Sequence, residues 1–281
     1  MDHHEIEDHD RGLSHDLPTL LNRRRALSVF GGLGLAATLA ACGDSVTTNE
    51  TSPPTASGGG GPGGGSSTAV GDGEIPEETN GPYPADGSNG PNILTESGIV
   101  RSDIRSSFGG ASGVAAGVPL TLTMSVVDVS SAEEAGTPAR GAAVYAWHAD
   151  AEGRYSMYSE GVEGENYLRG VQEADADGKV TFTTVFPGCY AGRWPHIHFE
   201  VYPSLADATA ATNRQRTSQL AFPQDVCEQV YASDGYPSSS DNLARLSLDT
   251  DMVFSDGYSL QLAKTTGSVD EGFTATLRVP I

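Results

Sequence analysis

The chain has 281 residues, and its 37 aspartates and glutamates outnumber its 16 lysines and arginines, which gives a formal net charge of −21. A chain this acidic, with no stripe of basic residues, is a poor partner for nucleic acid. Its three cysteines are too few for a disulfide-rich scaffold.

The first predicted element is an export signal over residues 1–41. Three consecutive arginines, Arg23 to Arg25, precede an uncharged run from Leu27 to Ala41. This run is shorter than the roughly 20 apolar residues that a membrane-spanning helix needs, so it is typical of a cleavable signal. The paired arginines resemble a twin-arginine signal, and an ordinary secretory signal is the alternative.

A lipid anchor and a tether are predicted next. The sequence Leu39-Ala40-Ala41-Cys42 is similar to a bacterial lipobox, which predicts lipidation of Cys42; an ordinary Ala-rich cleavage site is the alternative. Residues 42–73 are rich in Gly, Ser, Pro and Thr, a composition typical of a flexible spacer. We therefore expect an exported protein that is held at a membrane face only through its lipid.

Residues 74–281 are predicted to form one all-β domain, a β-sandwich of mostly antiparallel strands with short helices and long loops. Polar and apolar residues alternate in short stretches separated by Gly, Asp and Ser, as in strands with one buried face. The predicted strands are 120–126, 144–148, 180–185, 196–202, 218–222, 258–263 and 273–279. Short helices are predicted at 225–232, where Asp225 and Glu228 have capping-box spacing, and at 241–246.

Two cysteines remain if Cys42 is lipidated. In an oxidising compartment Cys189 and Cys227 can form a disulfide, which the sequence favours over two unrelated buried thiols. Such a bond would tie the turn before Tyr190 to the segment after Phe222.

The densest chemistry lies in PGCYAGRWPHIHFEVY, residues 187–202. In its last seven residues Ile197, Phe199 and Val201 alternate with polar positions, so His196 and His198 share the other face of a strand. Histidine is the commonest side-chain ligand for transition metals. The pattern favours a metal site; a pair of half-exposed histidines is the alternative.

The motif PGxYxxRxxHIHF resembles the signature of the intradiol ring-cleaving dioxygenases, non-haem ferric enzymes that open catechols between their two hydroxyls. The resemblance implies four ligands to Fe(3+): Tyr155 in GRY, Tyr190 in PGCY, His196 and His198. It also implies a small aromatic diol and O2 as substrates and a muconate-type diacid as product. The subunit number stays open, with a homodimer as one option.

The resemblance implies further roles around these ligands. Tyr190 would leave the iron and take up a substrate proton, and Arg193 would bind the substrate and stabilise its negative charge. Gln219, in TSQLAF, would face the iron. Tyr83, in EETNGPYP, would contact the substrate.

Three other interpretations of the motif stay open. Glu200 has the strand parity of the two histidines, so a 2-His-1-carboxylate site is one of them. A copper or zinc site that adds His148 to the pair is another. The third is a non-catalytic β-sandwich binding module at the cell surface.

Overall fold

The computed structural model describes residues 73–130 and 136–281. The export signal, Cys42 and the tether up to residue 72 lie outside the described residues, so what the sequence indicates about them stays a prediction. Within the described ranges, no helix is both long enough and apolar enough to cross a membrane.

Nine strands and two short helices make up the regular structure of the described residues. The strands are β1 (Pro119–Asp128), β2 (Thr137–Pro138), β3 (Ala143–Trp147), β4 (Arg169–Glu173), β5 (Lys179–Val185), β6 (His196–Tyr202), β7 (Arg216–Ala221), β8 (Lys264–Ser268) and β9 (Gly272–Pro280). The helices are α1 (Gln224–Tyr231) and α2 (Ser239–Leu243), and single 3₁₀ turns lie at Ala211–Asn213 and Leu248–Thr250.

The strands form two sheets. One has the order β2-β1-β9-β8, with β5 also paired to β1, and the other has the order β4-β3-β6-β7. Every pairing is antiparallel except that of β1 with β9. The predicted all-β sandwich is therefore confirmed, including its mostly antiparallel character.

The main core lies between the two sheets. Alternate residues of β1, such as Leu122 and Met124, belong to the same buried cluster as Ile197, Phe199 and Val201 of β6. Full burial of an aliphatic or aromatic side chain of this size stabilises a fold by about 1.5–3 kcal/mol. The core thus fixes which face of β6 points inward, and with it the direction of the two histidines.

The histidine face of β6 is also buried, which the expectation of strands with one buried face did not include. His196 and His198 are each only 2 % exposed. Loops before β1 cover this face: the N–H of Glu78 donates to the carbonyl of Thr217, and the Tyr145 hydroxyl donates to the carbonyl of Pro84. The site is therefore enclosed between a sheet and a layer of loops.

One predicted strand is wrong. Residues 258–262 form turns in which the N–H groups of Gln261 and Leu262 both donate to the carbonyl of Tyr258. Among the strands that the structure describes, this segment is joined to one of them by a single bridge, between Ala221 and Leu262, and β8 begins at Lys264. The alternation of apolar residues here reflects packing of a turn against the core.

Both predicted helices exist, with shifted bounds. The helix predicted at 225–232 is α1, which begins one residue earlier, and the helix predicted at 241–246 is α2, which begins two residues earlier. The capping box is not formed, because Pro223 occupies the N-cap position and supplies no side-chain hydrogen bond. Within α1, Gln224 donates instead to the carboxylate of Glu228.

Candidate metal centre

Four side chains predicted as metal ligands meet at one point. The His196 Nε2 atom lies 3.0 Å from His198 Nε2, 3.2 Å from the Tyr190 hydroxyl and 3.5 Å from the Tyr155 hydroxyl. The two hydroxyls are 3.4 Å apart. Donors bonded to one metal ion at about 2.1 Å, with angles near 90–110°, are separated by about 3.0–3.4 Å. The spacing of these four atoms is therefore that of a ligand set.

The two histidines occupy consecutive positions on the face of β6 that points away from the inter-sheet core, and their rings are held differently. The Nδ1–H of His196 donates to the Trp194 carbonyl at 2.5 Å, which leaves the Nε2 lone pair directed at the cluster. The His198 ring stacks on Trp147, with centroids 4.9 Å apart, and its buried Nδ1 has no hydrogen-bond partner among the described residues. The His196 tautomer is thus fixed by hydrogen bonding, and the His198 ring by stacking.

Tyr155 lies at the end of a turn that is held by hydrogen bonds to the side chain of Asp150. One oxygen of the Asp150 carboxylate accepts from the backbone N–H groups of Glu152 and Arg154, and the other accepts from Arg154 Nε and the Tyr167 hydroxyl. A short side chain that caps its own turn is typical of Asp at such positions. Tyr155 follows directly and is 2 % exposed.

The turn that carries Tyr190 packs against this first turn through two glycines. The N–H of Gly188 donates to the Asp150 carbonyl at 3.0 Å, and a Cβ at Gly188 would lie 2.5 Å from the Ala151 carbonyl oxygen. Gly153 has φ +84° and lies against the Tyr190 side chain. The two tyrosines therefore reach one point because their turns contact each other backbone to backbone.

Burial shifts the pKa of each of the four groups in the direction that favours its neutral form. It raises the pKa of Tyr155 and of Tyr190, and it lowers the pKa of His196 to about 3 and that of His198 well below its usual value. The polar atoms of four neutral groups therefore converge on one point. A metal ion bound there would compensate the charge of the phenolate forms, which burial alone disfavours. The donor set therefore fits a metal ion.

The structure gives no support to the two other metal sites considered. His148 is buried, but its Nδ1–H donates to the Ala149 carbonyl and its Nε2 lies 2.7 Å from the Thr184 hydroxyl. Glu200 accepts from the Tyr202 hydroxyl at 2.6 Å. In the described part of the chain, no three His, Cys, Asp or Glu side chains form a group that could hold a metal ion. A metal ion at this cluster would therefore need the two tyrosine hydroxyls as ligands.

Arg193 and Gln219 lie beside the cluster and contact each other. Arg193 Nη2 donates to Gln219 Oε1 at 2.7 Å, and Gln219 Nε2 donates to the Thr79 carbonyl at 2.8 Å. Gln219 pairs with His198 in the register of β6 and β7. Arg193 also forms a buried ion pair with Asp251, with 3.1 Å between Nε and Oδ2. No sequence motif marks the segment that carries Asp251, so this residue could not be found from the sequence.

The segment with Tyr83 crosses over the site. Gly81 has φ +71°, and a Cβ there would lie 3.1 Å from Cε1 of His198. The Tyr83 ring packs on Tyr155 with centroids 5.1 Å apart. The buried Arg169, a second residue whose role here the sequence did not reveal, donates to the carbonyls of Tyr83 and Ser156 and so joins this segment to the Tyr155 turn.

The structure does not contain the predicted disulfide. Cys189 and Cys227 are free thiols, and both are buried. Burial raises the pKa of the Cys189 thiol to about 12, and burial followed by the neighbouring Cys189 raises the pKa of Cys227. Because the thiolate is the reactive form, this environment disfavours oxidation of the pair.

Most of the chain is similar to known dioxygenases. A family model described as Dioxygenase matches residues 90–232. No curated protein matches the chain. A solved intradiol ring-cleavage dioxygenase from Tetranychus urticae is similar at 25% identity and a TM-score of 0.56, covering 73% of this chain and 93% of that one. A second solved dioxygenase has 25% identity, a TM-score of 0.57 and coverage of 73% and 92%.

Proposed function

Because this chain belongs to the intradiol ring-cleavage dioxygenase family, we propose that it holds Fe(3+) and cleaves a catechol-type ring between its two hydroxyl-bearing carbons. The observation that carries the proposal is the convergence of Tyr155, Tyr190, His196 and His198, in which each donor atom lies 3.0–3.5 Å from at least one other. Both atoms of O2 enter the muconate-type diacid, so the reaction needs no external reductant.

The donor set favours ferric iron over the metals that other ligand sets select. Two phenolates and two neutral imidazoles leave a trivalent ion with one net positive charge, and anionic oxygen suits a hard cation. Zinc sites more often use thiolates or carboxylates. When bound, the ferric ion would hold the catechol as a chelate and make its ring reactive toward O2.

The chain's own groups divide the remaining work. Tyr190 is less buried than Tyr155, so it is the phenol better placed to be displaced and to take up a catechol proton on its oxygen. Tyr155, His196 and His198 would stay bound throughout.

Arg193 would stabilise the negative charge that develops on the substrate. Its guanidinium is nearly fully buried, and despite burial the phenol of Tyr190 and the carboxylate of Asp251 raise its pKa, so it keeps its positive charge. A fixed cation stabilises a developing negative charge more strongly in an enclosed site than in water.

Iron content, visible absorption and oxygen uptake of the purified protein test this proposal together. We expect about one iron per chain, a phenolate-to-iron absorption band, and oxygen consumption with at least one member of a panel of catechols. A colourless protein that does not consume oxygen after loading with ferric iron would contradict it. The alternative of a non-catalytic binding module predicts that outcome, and nothing in the structure specifically favours it.

A further inference from the structure

Asp251 is a buried carboxylate close to the candidate metal centre that no sequence motif marks. Its side chain is fully buried, and it lies directly after the 3₁₀ turn Leu248–Thr250, 58 positions along the chain from Arg193. A buried carboxylate is costly unless it is paired and hydrogen-bonded, so its contacts show what it holds in place.

Among the described residues, each group that hydrogen-bonds to this carboxylate is an N–H donor. Oδ2 accepts from Arg193 Nε at 3.1 Å and from the Trp194 N–H at 2.7 Å. Oδ1 accepts from the N–H groups of Val253 and Phe254, at 2.8 and 3.3 Å, and lies 3.4 Å from Arg193 Nη2. Backbone donors thus fix the carboxylate, and the fixed carboxylate in turn fixes the guanidinium.

These contacts leave one guanidinium nitrogen free. Arg193 Nε is bonded to Asp251, and Nη2 is shared between Asp251 and the amide oxygen of Gln219. Within residues 73–130 and 136–281, nothing accepts a hydrogen bond from Nη1. Because the guanidinium is planar, fixing two of its nitrogens also fixes the direction of the third.

We propose that Asp251 is a positioning residue that holds Arg193 with Nη1 available to the negative charge of the reacting substrate. The inference rests on the proposed function, because it assigns Asp251 a part in the same reaction. In this role Asp251 acts through Arg193: its hydrogen bonds in the described part of the chain are to Arg193 and to backbone N–H groups, and none is to a metal ligand.

The substitution Asp251→Asn tests this role. Donors face both carboxylate oxygens, so an asparagine must place its NH2 group against N–H donors on one side. The variant therefore loses either the bond to Arg193 Nε or the backbone bonds that fix the side chain, and it loses the charge that pairs with Arg193, while side-chain size is kept. We expect unchanged iron content and unchanged catechol affinity measured by absorption under nitrogen. The reaction of the catechol-bound protein with oxygen should be about 10–100-fold slower, as for other residues that orient a catalytic group.

Two controls separate positioning from general damage. Asp249→Asn makes the same chemical change at an exposed site two residues earlier and should leave all three measurements unchanged. In an Arg193→Ala background, Asp251→Asn should slow the oxygen reaction no further, because its effect passes through Arg193. A further slowing of 10-fold or more in that background would overturn the proposal.

A measurement on the metal-free wild-type protein needs neither activity nor a stable Asp251 variant. By NMR, the Arg193 Nε–H, assigned by its loss in Arg193→Lys, should exchange with solvent at least 10-fold more slowly than that of the exposed Arg245. Equal exchange rates would overturn the positioning role. If iron-loaded wild-type protein cleaves no catechol, the proposed function fails; if it does and Asp251→Asn reacts equally fast, only this inference fails.

Discussion

Gly188 lies against Ala151 so closely that a Cβ atom on Gly188 would be 2.5 Å from the Ala151 carbonyl oxygen. The same glycine donates its N–H to the carbonyl of Asp150 at 3.0 Å. This contact joins the turn that carries Tyr190 to the turn that carries Tyr155. The distance between the two phenols is thus set by backbone packing, which a single methyl group can change.

The substitution Gly188→Ala should therefore separate the two phenols and weaken metal binding. The contacting atoms are backbone, so the turns must move, and we expect metal affinity to fall about 10-fold or more, with loss of visible absorption. Iron titration of the purified variant measures this. Gly164→Ala is the matched control, because no atom lies within 4 Å of a Cβ there; equal iron affinity in both variants would contradict the prediction.

Tyr155→Phe and Tyr190→Phe should fail in different ways. Tyr155 is the more deeply buried of the two residues and would be needed throughout the reaction, so its loss should remove most of the iron and colour. Tyr190→Phe should keep more iron and still bind catechol, but turn over about 10²-fold or more slowly without its proton acceptor. Iron analysis and steady-state kinetics distinguish them. Tyr158→Phe, on the Tyr155 turn but outside the cluster, should retain iron, and identical losses in the first two variants would refute the division of roles.

Glu78 should make the folding stability depend on pH. Burial, followed by the charge of Asp256, raises its pKa from 4.5 to about 7. A carboxyl with a raised folded-state pKa contributes stability below its ordinary pKa, and this contribution is lost as the pH rises through about 7. Glu78→Gln should therefore gain stability relative to wild type between pH 5 and pH 8. Urea unfolding at several pH values measures the free energy of unfolding, with the exposed Glu160→Gln as control. A difference in this free energy between Glu78→Gln and wild type that stays constant with pH would contradict the prediction.

Both thiols of the domain should be free. The buried Cys189 and Cys227 are not linked in the structure, so each should be alkylated after denaturation without reductant. Mass spectrometry of the two peptides checks this, and a reduced sample is the control. Alkylation that appears only after reduction would show that the disulfide forms.

The mature amino terminus remains a proposal from the sequence. Lipidation of Cys42 predicts a diacylated or triacylated terminal peptide in the membrane fraction. The substitution Cys42→Ser should release the protein from that fraction without changing its activity. An unmodified Cys42 peptide would rule out the anchor.

The sequence by itself indicated the four candidate ligands and most of the strands. Two histidines two residues apart on a strand must share a face, and the resemblance of GRY and PGCY to the family motifs predicted Tyr155 and Tyr190 as their partners. Alternation of apolar residues likewise indicates β1, β3, β5, β6, β7 and β9, because strand geometry converts a period of two into two faces.

Other features were decided by contacts between distant parts of the chain. Asp251 meets Arg193 across 58 positions, and the carbonyl of Thr79 meets Gln219 across 140. Residues 258–262 have a strand-like pattern and yet form turns, and loops bury the face of β6 that carries His196 and His198. A local pattern records which side chains are apolar and how the backbone repeats. It does not indicate which distant segment will supply a hydrogen-bond partner, because such contacts form only when the whole chain packs.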